Sequence, residues 1–117
     1  MFRKGYEVSL NQVHDKITIR EGDERLTLTV SGDAMRMVAG LNKAQQKMLA
    51  LKDDSTEDEI RECAIFFAGV IFGTEQAKEL IAFYADDPGC VITVCGQYFR
   101  ERLALKIAKV QKKMKTT

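Results

Sequence analysis

The residues that could do chemistry are few and scattered. The only histidine, His14, stands beside Asp15. Such a pair could serve as a base and its orienting acid. No activated serine or cysteine motif accompanies it, so His14 reads as a surface histidine in a strand connection. Cys90 and Cys95 are five apart, wider than the spacing of a zinc knuckle, and no histidine lies near them. If both sit on one helix, their Cα atoms stand roughly 8–9 Å apart, beyond a disulfide's reach of about 7 Å. With Cys63 they make an odd set of three. All three are expected to be reduced, metal-free and packed as small apolar groups, as in a reducing compartment. Asp86-Asp87 could pair as carboxylates, but Pro88-Gly89 after them marks a turn. No glycine-rich phosphate loop is present. Gly69 and Gly73, four apart in an apolar stretch, suit close helix packing. The expectation is a protein with no catalytic residue, no cofactor and no metal, hence not an enzyme.

The elements around these residues must therefore carry the function. The chain has 117 residues, 45% apolar and 30% charged, with a single proline. That is the size and composition of one globular domain, able to bury roughly two-thirds of its unfolded surface. Net charge is +1, which predicts no polyanionic partner from global charge. Charge is nonetheless unevenly placed. From Tyr98 onward seven bases face one acid, and from Asp53 to Glu62 six acids face one base. Both runs fit helix termini, acids at the start and bases at the end. The start of the chain is polar, without an apolar signal core, and no run approaches the about 20 residues of a membrane span. A cytoplasmic location is expected.

The first third alternates. Ile17 and Ile19, then Leu26, Leu28 and Val30, occupy every second position, with Glu21-Gly22-Asp23-Glu24 between them. This predicts an antiparallel hairpin over 16–31. Tyr6, Val8 and Leu10 suggest a third strand. After Gly32 the period changes to that of helices, expected over 34–52, 56–72, 75–84 and 91–113. Asp33, Ser55 and Thr74 stand as caps. The second helix is apolar all round, so it is either central or half of an interface. The fold class expected is α+β, a hairpin or three-strand sheet followed by a mostly α-helical body of four helices. It forms a single domain over 1–117, with β-rich 1–32 and helical 33–117.

The stretch Phe72-Gly73-Thr74-Glu75-Gln76-Ala77-Lys78-Glu79-Leu80-Ile81-Ala82-Phe83-Tyr84 resembles a segment of small phage tail-assembly chaperones. In that family an apolar helix, a glycine, a polar cap and an amphipathic helix ending in aromatic residues follow one another. An acidic turn (85–89) and a long final helix with a Lys-rich end come next. The resemblance implies a non-enzymatic role: holding the tape-measure protein while the tail of a phage or prophage assembles in the bacterial cytoplasm. An apolar, adaptable groove for a helix would serve it, and methionines such as Met35, Met37 and Met48 suit such a surface. The apolar excess of the second helix predicts self-association. The face expected to be covered comprises Phe66, Val70 and Gly73 with Tyr98, and Met37 and Met48 are further candidates. The alternative is a small nucleic-acid-associated regulator using the basic C-terminal helix.

Overall fold

A computed structural model describes residues 11–85 and 87–116. The fold is α+β: an N-terminal hairpin followed by four helices, the last of them interrupted. The third strand expected around Tyr6, Val8 and Leu10 lies outside the described residues, as does Asp86. No helix among the described residues is long and apolar enough to cross a membrane.

Strands β1 (Gln12–Glu21) and β2 (Glu24–Asp33) pair antiparallel, with Ile17 opposite Leu28 and Ile19 opposite Leu26. The two-residue turn Gly22-Asp23 has positive φ at Gly22 alone (59°), the sign pattern of a type II′ hairpin turn. Alternation puts Val13, Asp15, Ile17, Leu28 and Val30 on the inner face, so Asp15 stands among the core residues, while Glu21 and Glu24 share that phase at the exposed turn end. The free edge of β2 is closed at one point by Gln76. Its amide nitrogen donates to the Thr29 carbonyl (2.7 Å) and its oxygen accepts from the Thr29 N–H (2.9 Å), as a neighbouring strand would.

Helix α1 (Ala34–Leu49) starts on Asp33, whose carboxylate accepts from the N–H groups of Met35 and Arg36. Helix α2 (Glu57–Phe72) starts on Thr56 rather than Ser55. Thr56 and Glu59 form a reciprocal capping box, while the Ser55 hydroxyl accepts from the Lys52 N–H. Helix α3 (Thr74–Phe83) follows at once through Gly73, at φ 87°, a left-handed conformation that favours glycine. Thr74 is its first residue and not its cap. Helix α4 (Pro88–Tyr98) begins three residues before the expected start. Asp87 caps it and Pro88 takes the first position, where a missing N–H costs nothing. What reads as a turn is thus a helix entry.

A π-helical segment, Phe99–Leu103, joins α4 to α5 (Ala104–Thr116). The buried residues on this long helix are Pro88, Val91, Cys95, Tyr98, Leu103 and Ile107. The step of five from Tyr98 to Leu103 would carry an α-helix about 140° past the core face. The wider π turn, with Ala104 N–H bonded to the Phe99 carbonyl, returns Leu103 to it. Helix α2 packs on α1, α3, α4 and β2, so its all-round apolarity is largely that of a central helix.

Candidate functional site

The site begins with α1 and α4, which stand apart over the floor made by α2. Leu41, Asn42, Gln45 and Met48 of α1 form one wall, and Phe67 of α2 lies at the base. Ile92, Thr93 and Gly96 of α4 form the other wall, continued by Phe99 and Arg100 of the π segment. The groove encloses about 450 Å³. Leu41, Met48, Ile92 and Phe99 are half-buried, so each offers an apolar flank to it. The amides of Asn42 and Gln45 and the guanidinium of Arg100 supply polarity. A Cβ on Gly96 would lie 3.3 Å from Arg100 Nη1, so the glycine gives the guanidinium room to lie back over the helix. The π turn sets Phe99 and Arg100 at the groove while Tyr98 and Leu103 stay in the core.

A second cluster ties the hairpin to the final helix. Asp15, with only 6% of its side chain exposed, accepts from the Tyr98 hydroxyl (2.8 Å) and from Arg102 Nη2 (2.7 Å). Lys106 Nζ stands 4.0 Å away. Burial, the largest single influence, would raise the Asp15 pKa. The hydrogen bonds from Tyr98 and the Lys16 N–H, with the charges of Lys106 and Arg102, together outweigh it and hold the carboxyl below its ordinary range. The Tyr98 phenol is pushed up, first by burial and then by its bond to Asp15. The pair is a satisfied structural clamp. It spends two of the C-terminal bases on an internal acid.

His14 is exposed and sits within β1, not in a connection. Neighbours in a strand point to opposite faces, so His14 and Asp15 cannot act together. Cys63, Cys90 and Cys95 are free thiols, Cys63 and Cys95 buried. Burial pushes the Cys95 thiol up to about 12. No group of three or more His, Cys, Asp or Glu side chains fit to hold a metal occurs among the described residues.

Of the six residues expected at a protein interface, Met37, Val70 and Gly73 line one cavity between α1 and α2, while Phe66, Tyr98 and Met48 lie elsewhere. Met37 and Tyr98 are buried within this chain, Tyr98 with its ring against Phe72 at 5.9 Å between centroids. Tyr98 is core because the π turn shifts the buried phase of the helix. Val70 is half-buried against Gly40, and Phe66 is half-buried under the Lys47 ammonium, 5.1 Å from the ring centroid. Gly73 is exposed at the α2–α3 junction. Only Met48 lies in the groove. The Asp15 clamp and the part of Arg100 escape a sequence-only argument. For Asp15 a signal existed: an acid in the apolar phase of a strand. Comparison with known protein families, with characterised proteins and with solved structures finds nothing that matches this chain.

Proposed function

We propose that this chain is a non-catalytic chaperone of phage or prophage tail assembly, which binds a tape-measure-like helical chain in the cytoplasm of a bacterial host. The observation that carries this is the groove between α1 and α4. It is walled by residues 41–48 and 92–100, apolar at Leu41, Met48, Phe67, Ile92 and Phe99, with Asn42, Gln45, Thr93 and Arg100 supplying its polar groups. An amphipathic helix lying there would bury its apolar stripe and offer an acid to Arg100, the mode by which helices dock in grooves. Met48 repacks easily around different side chains, as a chaperone of a long, varied chain requires. The resemblance of residues 72–84 and of the helices after them to tail-assembly chaperones supports the same assignment. When no client is present, a second copy is expected to cover the groove. The test is binding of fluorescent peptides taken from the apolar-striped helices of a tape-measure chain. Met48→Arg and Ile92→Asp should each weaken the binding at least about tenfold, or about 1.4 kcal/mol. Equal affinity for both variants and the unaltered chain would refute the assignment.

A further inference from the structure

The charges of the hairpin are sorted by face. In β1 and β2 the outer face consists of the even-numbered residues 14–20 and the odd-numbered residues 25–31. All eight are exposed. They include Lys16, Arg20 and Arg25, with His14 and a row of hydroxyls, and no acid and no apolar side chain. The strand acids Asp15, Glu21 and Glu24 all fall in the opposite phase, where Glu21 accepts from the Tyr84 hydroxyl. Asp33, at the base of the outer phase, is occupied in capping α1.

Arg20 and Arg25 stand directly opposite one another across the ladder. Like charges so placed repel. Neither has an ion-pair partner among the described residues. Between them and Lys16, the hydroxyls of Thr18 and Thr27 are 3.2 Å apart. A cavity of about 380 Å³ lies beside β1, on the other side of Lys16 and Arg20. Its lining includes Ile17, Ile19 and Val94, Glu101, and Arg102, whose charge is already paired with Asp15, so it belongs to the inner side and not to the basic face.

We propose that this outer face is a docking surface for double-stranded nucleic acid, held through its phosphates. The inference is independent of the groove and of the chaperone function proposed above. Charge complementarity selects an anionic partner. The absence of any apolar residue on the face selects against a protein, whose interfaces centre on buried aromatic and aliphatic anchors. Nucleic-acid interfaces are instead polar and strongly positive. The shape agrees. The outer face, seven residues along each strand, is about 23 Å long, which lies within one turn of a duplex at about 34 Å. A two-stranded ribbon also fits the width of the major groove, about 12 Å.

The test is fluorescence anisotropy of a labelled duplex of about two turns. With three phosphate contacts, affinity should fall roughly 40-fold between about 50 mM and about 200 mM salt. Arg20→Thr with Arg25→Thr should cut the affinity more than about tenfold at the lower salt and flatten the salt slope by about two. Threonine is at home in an exposed strand, so circular dichroism should show an unchanged fold. The melting midpoint should stay or rise, because a like-charge pair has been removed. Substituting Lys109 and Lys112 of α5 by threonine should leave the affinity unchanged. The proposal is overturned if the duplex fails to bind, if the arginine variants bind as the unaltered chain does, or if the α5 variants abolish binding. It is equally overturned if polyglutamate binds the face while the duplex does not, since the partner is then an acidic protein.

Discussion

Asp15 shows how much one side chain can commit. It occupies a position whose strand neighbours in phase are Val13 and Ile17, yet it is ionised and nearly buried. Tyr98 and Arg102 satisfy it from the final helix, so the carboxylate fixes how that helix crosses β1. Asp15→Ala would leave a buried phenol without an acceptor, at a cost of roughly 1–3 kcal/mol. We expect a melting midpoint lower by several degrees, and a smaller loss in Asp15→Asn, whose amide oxygen still accepts from Tyr98. Acid titration checks the charge itself. The folded pKa lies below the unfolded value of 3.8, so the unfolded chain binds the proton more tightly. The stabilisation by the ionised form is complete above about pH 5 and is lost as pH falls through 3.8 toward the folded value. The stability gap between the unaltered chain and Asp15→Asn should therefore close as the pH is lowered, and a gap that stays constant would mean that the charge contributes nothing. At the same scale, a thiol reagent should modify half-buried Cys90 in the native protein well before Cys63 or Cys95.

Among the elements, the closest approach is that of α1 to α2. A Cβ on Gly40 would lie 2.8 and 2.9 Å from the two γ-carbons of Val70. On propensity alone Gly40 weakens α1 by about 1 kcal/mol relative to alanine. The contact with Val70 explains why it is there. Valine is stiff at χ1 and cannot swing aside freely, and overpacking costs about 1–3 kcal/mol. Gly40→Ala should therefore destabilise the protein, while the same change in a Val70→Ala background should stabilise it. A double-mutant cycle by thermal unfolding reads this directly. The elements themselves were largely legible. Alternation and Gly22 located the hairpin, and apolar stripes located all four helices, but of the three expected caps only Asp33 caps its helix. Two things were not. Pro88-Gly89 carries the same local signal in a turn and at a helix entry, and only the fold decides between them. The π turn has no proline or glycine of its own to announce it. It shifted the buried phase from Ile92 and Phe99 to Val91 and Tyr98, and that shift is why the groove was not visible in the sequence while Tyr98 looked available to a partner. Which helix faces meet is a tertiary property. Met48 could be picked out for its chemistry, but not the wall it would face.

The whole molecule measures 55 × 34 × 27 Å, with a radius of gyration of 15.8 Å. A compact chain of this length would have about 13 Å. An elongated shape leaves more apolar surface uncovered for the same core. Leu49 is 77% exposed and Leu105 62%, and single residues of this kind are ordinary on a soluble surface. Contiguous apolar surface is less ordinary. Two places bear on this, the α1–α4 groove and the α2 residues Ile65, Phe66 and Val70. They differ in what already covers them. Phe66 lies under Lys47, and Val70 is engaged with Gly40. The flanks of Leu41, Ile92 and Phe99 meet no comparable cover and face the open groove. If the free protein associates with itself, the groove is therefore the surface with more to gain. We expect light scattering at tens of micromolar to report a species larger than one chain, and Ile92→Asp to return it to a monomer with unchanged helicity. Phe66→Asp should stay associated, since it removes a contact within the chain and none between chains. The opposite pattern, a monomer from Phe66→Asp and an associated Ile92→Asp, would move the interface to α2. A monomeric unaltered chain would show that no second copy covers the groove and that the expected self-association is wrong.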